Sequence, residues 1–384
     1  MRMSRQCLIL PVLIGLVGAI IAGCTEKSES ERSTAPSWNI VLVLVDDLGW
    51  TDLGIMGSSF YQTPNIDRLA REGMRFTNAY AAATVCSPTR ASILTGQYPA
   101  RLHVTDWIHG HARPWAKLQV PTWTHELPSE VTTLAEALGT GGYVSASIGK
   151  WHLGSDFPEA HGFDLNVAGD HRGQPPSYYA PYNIPTLQEL ENDEEYLTDR
   201  LTDEAIAFIT GNRTNPFFLY LPFYTVHTPI EPPLEKLTRY EVKAETLNAD
   251  TSSQRNPGYA GMIESLDDGV GRLLETLNDL DIADRTVVIF ASDNGGLVRD
   301  ASPWGPVTSN LGLRAGKGSS YEGGIRVPCL MRWPGKIKAS SSSNAVLSAL
   351  DLFPTFCGLA GVDVGGRQLD GQDISGILDG VQKT

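Results

Sequence analysis

Four oxygen-bearing side chains in two short runs of the sequence could bind a hard divalent cation. Asp46 and Asp47 follow one apolar run, and Asp293 and Asn294 follow another. Carboxylate and amide oxygens are the ligands that Ca²⁺ prefers. No group of cysteines and histidines has zinc-like spacing, which makes zinc the weaker interpretation. Each run alone is also a common turn signal, so the prediction depends on their joint occurrence.

Five cationic or proton-carrying side chains accompany these oxygens: Arg90, Lys150, His152, His227 and Lys317. Such a set can hold a multiply charged oxyanion and assist a leaving group. Lys317 lies in the glycine-rich run AGKGSSYEGG, in which the backbone can approach a ligand closely. A single histidine or loop lysine is as often an ordinary surface residue as a catalytic one. Only the whole set of five indicates chemistry on an oxyanion.

Cys86 opens the run CSPTRASILTG, residues 86–96, which has the pattern of a helix start. Pro88 favours the first turn of a helix, so we expect Cys86 just before the helix N-terminus. Free amides and the helix dipole favour an anion at that place. From these residues alone, the thiol could be a nucleophile, a metal ligand, half of a disulfide or the precursor of another group.

Apolar strand-like runs alternate with helical patterns along the chain. The predicted strands are residues 39–45, 143–148, 216–223, 285–291 and 326–331, and the predicted helices are residues 64–72 (capped by Asn65), 132–138, 194–209 and 259–280. This alternation predicts an α/β fold with a largely parallel sheet sandwiched by helices. Ligands bind beyond the carboxyl ends of strands in such sheets, and the polar groups named above follow four of these strands.

The run Cys86-Ser87-Pro88-Thr89-Arg90 resembles the Cys-x-Pro-x-Arg signature of the formylglycine-dependent (type I) sulfatases, a family of the alkaline-phosphatase-like superfamily. Further runs agree with the family in the same order: DD at 46–47, GKWHLG at 149–154, VHTP at 226–229, SDNG at 292–295 and GKGSSYEGGIRVP at 316–328. The resemblance covers roughly residues 39–380. It implies an alkaline-phosphatase-like fold and a sulfuric ester hydrolase of the arylsulfatase type.

The resemblance also implies that a formylglycine-generating maturation enzyme reads this signature and oxidises Cys86 to formylglycine. One hydroxyl of the hydrated aldehyde would attack sulfur and form a covalent sulfo-enzyme. The second hydroxyl would then lose its proton, restore the aldehyde and expel sulfate. A serine could perform the first step but has no second hydroxyl for the release. The reaction is therefore expected to proceed by nucleophilic catalysis in two steps.

The remaining site residues take their expected roles from the same resemblance. The implied Ca²⁺ ligands are Asp46, Asp47, modified Cys86, Asp293 and Asn294, and Asp293 would also help to deprotonate the attacking hydroxyl. Arg90 and Lys150 would hold the hydrate and the charge of the sulfate. His152 would assist the elimination. His227 and Lys317 would bind the sulfate and protonate the leaving oxygen.

The N-terminal residues have the pattern of a secretory signal. Arg2 and Arg5 precede the apolar run 8–22, which is short for a membrane span of about 20 residues. The run Ile-Ala-Gly-Cys that ends at Cys24 resembles a bacterial lipobox, which implies cleavage before Cys24 and lipid attachment to it. An ordinary signal peptide or an uncleaved anchor is the alternative. We expect an exported protein, lipid-anchored to the bacterial cell envelope in the periplasm or at the cell surface.

The sequence is accordingly divided into a signal peptide (1–23), a lipid-anchored polar tether (24–38) and a sulfatase catalytic domain (39–384). The tether is rich in Ser and Glu, which suits a flexible linker. Members of the family often continue into a small C-terminal sheet. Because this chain stops at Thr384, we expect that the C-terminal small subdomain is reduced or missing, or that the sequence is truncated.

The amino-acid composition and net charge limit the kinds of molecule that the protein can bind. The 384 residues are 41% hydrophobic and 19% charged, as in a soluble globular protein with a sizeable core, and carry a formal net charge of −14. This charge argues against nucleic acid as a binding partner, because binding to the phosphate backbone needs clusters of lysine and arginine. An anionic small substrate remains compatible, since local charge in a cleft can oppose the overall field. Cys329 and Cys357 could form a disulfide or be two small buried apolar residues.

We expect hydrolysis of sulfate esters, with sulfated glycans as the preferred substrate class. A phosphate or phosphonate ester hydrolase of the same fold, and an inactive lipoprotein that binds sulfated glycans, are the alternatives. Substrate contacts are expected from residues 102–126, in which aromatic side chains either stack on sugar rings or pack as a surface loop. That stretch carries His103, Asp106, Trp107, His109, His111, Arg113 and Trp115. Residues 164–182, with His171 and Arg172, form a second expected region.

Overall fold

The computed structural model of the protein describes residues 38–111, 114–188, 195–246 and 254–378. The expected signal peptide, Cys24 and the tether up to residue 37 lie outside these residues, as do Arg113 and Glu194. Within the described ranges, no helix combines the length and the apolar character that crossing a membrane requires.

The described residues alternate between strands and helices. The strands are β1 (Asn39–Val45), β2 (Met74–Tyr80), β3 (Val144–Ile148), β4 (Leu165–Val167), β5 (Phe217–Pro222), β6 (Thr286–Ser292), β7 (Asp300–Ser302), β8 (Gly305–Pro306), β9 (Cys329–Arg332) and β10 (Ser341–Ser348). The helices are α1 (Pro64–Arg71), α2 (Cys86–Thr95), α3 (Pro99–Leu102), α4 (Leu134–Gly139), α5 (Leu197–Gly211), α6 (Leu234–Thr246), α7 (Pro257–Asp279), α8 (Glu322–Ile325), α9 (Leu352–Ala360) and α10 (Ser375–Leu378). Short 3₁₀ turns cover Gly54–Met56, Pro158–His161, Ala283–Arg285 and Ala349–Asp351.

Eight strands form one sheet in the order β10-β2-β9-β6-β1-β5-β3-β4. The central strand β1 pairs in parallel with β5 and β6, and β3 pairs in parallel with β5 and β4. β10 and β2 are also parallel, whereas β9 runs antiparallel to both β2 and β6. β7 and β8 form a separate antiparallel hairpin. The prediction of a largely parallel sheet is therefore confirmed.

The central strand β1 is buried on both faces, which explains its continuous run of apolar residues. Val41 and Val43 belong to one hydrophobic cluster together with residues of α1, α5 and α7. Ile40 and Leu42 point to the other face and belong to a second cluster with residues of α2, α4 and α9. Helices thus cover both faces of the sheet, as the sequence predicts.

The predicted elements have the right type, with ends that shift by a few residues, and β1 has the predicted bounds. The predicted cap of the first helix is wrong. Thr63 occupies the N-cap position of α1, because Pro64 supplies the fixed backbone of the first helical residue. Asn65 lies inside the helix, where its amide Nδ2 and its backbone N–H donate to Asp267 of α7.

Candidate active site

The carboxyl ends of four neighbouring strands bring the predicted site residues to one edge of the sheet. The adjacent strands β6, β1, β5 and β3 lead respectively into Asp293, Asp46, His227 and Lys150. Backbone hydrogen bonds continue past the strand ends, because the N–H of Asp46 donates to the carbonyl oxygen of Thr225 at 3.1 Å. The sheet topology therefore assembles residues that lie far apart in the sequence.

An oxygen-rich centre lies at this edge. Asp46, Asp47, Asp293 and Asn294 are all buried. Nδ2 of Asn294 donates to Oδ1 of Asp47 at 2.7 Å, and the N–H of Asp47 donates to Oδ1 of Asp293 at 3.3 Å. Oδ1 of Asp46 and Oδ1 of Asn294 are buried and accept no hydrogen bond from the described residues. A buried oxygen without a partner costs about 1–3 kcal/mol, so this donor set fits an oxygen-ligated divalent cation.

Cys86 is the first residue of α2, with Val85 at the N-cap position, one residue further into the helix than predicted. Its Sγ, one oxygen each of Asp46 and Asp47, and one ring nitrogen of His227 lie within 4.8 Å of one another. His227 was not among the metal ligands expected from the sequence. Burial raises the pKa of the Cys86 thiol to about 11. The unmodified side chain is therefore a protonated thiol at neutral pH and a weak nucleophile.

Arg90 and Lys150 are completely buried and contact carboxylates. Nε and Nη2 of Arg90 donate to Oδ2 of Asp293 at 3.0 and 2.8 Å. Nζ of Lys150 donates to Oδ2 of Asp46 at 2.6 Å, and the Lys150 carbonyl accepts from Nη1 of Arg90 at 2.8 Å. The two cations compensate buried negative charge and lock the loops after β1, β3 and β6 together.

Lys317 and His227 approach Asp47 from two further loops. Nζ of Lys317 lies 2.8 Å from Oδ2 of Asp47, and Nε2 of His227 lies 3.6 Å from the same oxygen. Burial lowers the pKa of a lysine, but the charges of Asp47 and its neighbours, together with the hydrogen bond to Asp47, outweigh burial and raise the pKa of Lys317. Burial and the Lys317 charge lower the pKa of His227 to about 3. At neutral pH Lys317 is therefore charged and His227 is neutral.

His152 has a defined tautomer. Its Nε2 is hydrogen-bonded to the carbonyl oxygen of Ile108, and a carbonyl can only accept, so Nε2 carries the hydrogen. Nδ1 of His152 is then the nitrogen with the free lone pair, and it is buried without a partner among the described residues. Burial and the nearby Lys150 charge hold the pKa of His152 well below its ordinary value.

One cavity of about 720 Å³ opens onto this centre, within the range of small-molecule sites. It is lined by Cys86, His152, His227 and Lys317, whereas Arg90 and Lys150 are not among its described lining residues. Both regions expected to contact a substrate contribute to its walls, one through Trp107, His109 and His111 and the other through His171 and Arg172. His103, Asp106 and Trp115 are not part of the described lining.

Tyr178 positions the loop of His227, and the sequence analysis missed it. The side chain is fully buried, and its hydroxyl lies 2.6 Å from the carbonyl oxygen of Tyr224 and 2.9 Å from that of His227. Tyr224 in turn donates through its hydroxyl to the carbonyl oxygen of Ala168 at 2.9 Å. No motif marks Tyr178, because its role depends on a backbone contact with a distant loop.

Asp52 is a second residue that the sequence analysis missed. Its buried carboxylate accepts four hydrogen bonds, from Gly49 N–H at 3.1 Å, Gln254 Nε2 at 2.8 Å, Tyr259 Oη at 2.8 Å and Thr308 Oγ1 at 2.9 Å. These bonds tie the loop that follows Asp46 and Asp47 to α7 and to the segment before Lys317. A single aspartate in a turn-like sequence gives no signal of such a role.

Cys329 and Cys357 are both buried, and neither is in a disulfide. Both belong to the hydrophobic cluster on the α2 side of the sheet. Of the two possibilities left open by the sequence, the structure therefore supports two small buried apolar residues rather than a disulfide.

Comparison with known proteins identifies close similarity to sulfatases. Residues 38–362 match the family model described as Sulfatase. The chain is 36% identical over 364 residues to N-acetylgalactosamine-6-sulfatase of Homo sapiens, a match that covers 88% of this chain and 65% of the human protein. A sulfatase of Formosa agariphila is 32% identical over 434 residues, with 95% of this chain and 76% of that protein covered.

A solved structure has the same fold. The crystal structure described as Ps i-CgsB in complex with k-i-k-neocarrahexaose superimposes with a TM-score of 0.73 at 32% identity. The match covers 90% of this chain and 77% of that chain. The present chain spans 65% of the length of the human relative, so part of that relative has no counterpart in it.

Proposed function

The chain belongs to the sulfatase family, and we propose on that basis that it hydrolyses sulfate esters of carbohydrates. The observation that carries the proposal is the position of Cys86. It lies at the start of α2, on the wall of the cavity and within 4.8 Å of the Asp46, Asp47 and His227 ligand atoms. The named relatives support a carbohydrate substrate, since one is named for N-acetylgalactosamine and another was solved with neocarrahexaose.

We propose that Ca²⁺ is the metal of this site, held by Asp46, Asp47, Asp293, Asn294 and the modified side chain of residue 86. The buried Oδ1 atoms of Asp46 and Asn294, which have no partner among the described residues, support this assignment. Bound Ca²⁺ would supply positive charge to the oxygens of the sulfate group. Arg90 and Lys150 hold the loops of Asp293 and Asp46 in place through their ion pairs and compensate part of the negative charge of these two carboxylates.

We propose that Cys86 is converted to formylglycine by a formylglycine-generating maturation enzyme. The hydrated aldehyde would supply one hydroxyl as the nucleophile and a second one for the release of sulfate. The pKa of about 11 supports this proposal indirectly, because a buried protonated thiol is poorly suited to act itself.

The side chains on the cavity wall have separate tasks in this proposal. Lys317 is charged and reaches the cavity, so its Nζ can bind a sulfate oxygen and supply a proton to the leaving oxygen. His152 can accept a proton at Nδ1, because Nε2 donates to the carbonyl oxygen of Ile108. His227 is neutral, and its Nδ1 lies 2.9 Å from the carbonyl oxygen of Thr228, which orients the ring towards Asp47.

We propose that the protein is exported and lipid-anchored through Cys24 after removal of residues 1–23. The basic, apolar and small-residue runs at the N-terminus support this location. Expression in a bacterial host with labelled palmitate provides the test. The wild-type chain should incorporate the label and Cys24→Ala should not, whereas equal labelling of both would overturn the anchor.

The function is tested with protein coexpressed with a formylglycine-generating enzyme. Peptide mass spectrometry should find the aldehyde or its hydrate at residue 86, and the protein should hydrolyse 4-nitrophenyl sulfate faster than 4-nitrophenyl phosphate. Cys86→Ala should abolish turnover. Cys357→Ala removes another buried thiol that lies outside the site and should retain it.

Other outcomes would replace this function with one of the two alternatives. Faster hydrolysis of the phosphate ester would favour a phosphate or phosphonate ester hydrolase. Tight sulfate binding without turnover, in protein shown to carry formylglycine, would favour a binding lipoprotein. Full activity of Cys86→Ala would exclude the proposed nucleophile.

A further inference from the structure

The lining of the cavity contains basic side chains beyond the residues assigned to the sulfate site. The described lining contains Arg172, Arg299 and Lys317, together with five histidines, but no aspartate or glutamate. This composition contrasts with the formal net charge of −14 for the chain. Basic side chains without acidic neighbours in the lining suit an anionic ligand, even in an acidic protein.

Several of these basic groups already have a carboxylate partner. Lys317 pairs with Asp47, and Nε of Arg172 lies 3.0 Å from Oδ2 of Asp170. Nδ1 of His111 lies 2.8 Å from Oδ2 of Asp106. Their charges are largely compensated before any ligand binds.

Arg299 is different from these residues. It is exposed at the cavity, and no carboxylate in the described part of the chain forms an ion pair with it. Its backbone is held in place, because its carbonyl oxygen accepts from the N–H of Val307 at 3.3 Å. The guanidinium of Arg299 therefore has no carboxylate partner among the described residues. Its five N–H donors suit a sulfate or a carboxylate.

Two histidines line the same cavity as Arg299. The rings of His109 and His171 lie with their centroids 6.5 Å apart, in an edge-to-face arrangement. Both are exposed and line the same cavity, although they come from different loops. Their ring nitrogens make no hydrogen bond to the described residues, so they are available to a ligand.

We infer that Arg299, with His109 and His171, forms a second anion subsite in the active-site cavity. The inference rests on the proposed function and specifies its substrate: a sulfated carbohydrate with a second anionic group, either another sulfate or a carboxylate. The cavity of about 720 Å³ has room for more than the sulfate that is cleaved. The enzyme therefore discriminates between singly and doubly anionic substrates.

The test compares kcat/KM for matched substrates with protein shown to carry formylglycine. The substrates are a monosulfated disaccharide, its disulfated counterpart and a monosulfated disaccharide that contains a uronic acid. The wild type should prefer the doubly anionic substrates. Arg299→Gln should reduce this preference about tenfold, the effect of one charge-assisted contact. The choice between the two doubly anionic substrates identifies the anion that binds.

Arg213→Gln is the matched control, because Arg213 is also an exposed arginine but does not line the cavity. It should leave the preference unchanged. A double variant, His109→Gln with His171→Gln, should also reduce the preference, and its effect should be smaller when Arg299 is replaced as well, since the three residues bind the same anion. Added salt should weaken the selection of doubly anionic substrates in the wild type and much less in Arg299→Gln.

Hydrolysis of 4-nitrophenyl sulfate separates the subsite from the function itself. Turnover of this ester with no preference for doubly anionic disaccharides would overturn the subsite and leave the sulfatase function intact. An equal preference in the wild type and Arg299→Gln would also overturn the assignment. Failure to hydrolyse any sulfate ester would instead contradict the proposed function.

Discussion

Nζ of Lys317 lies 2.8 Å from Oδ2 of Asp47, although 270 residues separate the two in the sequence. The contact joins the glycine-rich loop before α8 to the loop after the central strand β1. It also places a protonated amine at the cavity wall beside the predicted metal ligands. One lysine thus both compensates the charge of Asp47 and faces the substrate.

Replacing Lys317 should therefore lower the rate of hydrolysis, because the charge that faces the substrate is lost. We expect Lys317→Ala to reduce kcat/KM for 4-nitrophenyl sulfate by about 10²-fold, as for the loss of one preorganised charge in an active site. Lys317→Arg should recover part of that loss because it keeps the charge. Lys338→Ala, at an exposed lysine outside the cavity lining, is the control. Wild-type kinetics of Lys317→Ala would contradict the assigned role.

Tyr178→Phe should misplace the loop of His227. The variant loses the hydroxyl that contacts the carbonyl oxygens of Tyr224 and His227. We expect kcat to fall about tenfold, since small displacements of catalytic groups are costly, and stability to fall by about 1 kcal/mol. Steady-state kinetics and urea unfolding measure the two effects.

Tyr143→Phe provides the matched control for Tyr178→Phe. Tyr143 is also buried, and its hydroxyl donates to the backbone carbonyl of Trp38 at 2.7 Å, away from the cavity lining. Its substitution should cost similar stability without changing kcat. An equal loss of kcat in the two variants would show that Tyr178 acts only through stability.

The carboxyl group of Asp267 should make stability depend on pH. It accepts hydrogen bonds from the N–H groups of Asn65 and Ile66, but burial outweighs these contacts and raises its pKa from 3.8 to about 6. Between about pH 4 and 6 the folded protein therefore binds more protons than the unfolded chain. Its contribution to the free energy of unfolding is fully present below about pH 4 and is lost as the pH rises through 6.

Urea unfolding of the wild type and Asp267→Asn between pH 3.5 and 8 measures this contribution. The stability of the wild type relative to the variant should fall with rising pH, by at most about 1.4 kcal/mol per pH unit. The difference should be constant above about pH 7. A difference that increases with pH would show that the hydrogen bonds at the start of α1 outweigh burial.

Removal of divalent cations should inactivate the protein and lower its melting temperature. Chelation by EGTA would leave the Oδ1 atoms of Asp46 and Asn294 without a partner, as well as removing the stabilisation that ligand binding gives. Ca²⁺ should restore both properties. Asn294→Ala should need a higher Ca²⁺ concentration for half-maximal recovery. Unchanged activity after complete chelation, verified by elemental analysis, would contradict a calcium site.

The elements that can be predicted from the sequence are those with a regular pattern of apolar residues. The bounds of β1 follow directly from its unbroken apolar run, because both faces of that strand are buried. β2 and β10 were not predicted, since MRFTNAY mixes polar and apolar residues and SSSNAVLS is rich in serine. Both strands are stabilised by pairing with each other across a large sequence separation, which no local pattern reveals.

Residues of the active site can likewise be predicted only where a local sequence pattern marks them. Short motifs were sufficient to select Asp46, Cys86 and Lys317, because their neighbours in the sequence resemble those of a known family. Tyr178 and Asp52 lie outside these motifs and act through hydrogen bonds to distant loops. Their contribution becomes evident only when the loops are seen together.

All ten residues of α2 are buried, and Cys86 itself is only 2% exposed. Apart from the side of Cys86 that lines the cavity, the helix is enclosed, so another protein cannot bind residues 86–90 as an extended segment while they are folded. The proposed oxidation of Cys86 would therefore have to take place while this segment is still extended. Oxidation and folding would then compete in time, and a molecule that folded first would keep an unmodified thiol. The share of active molecules in a preparation would be decided by the order of these two events.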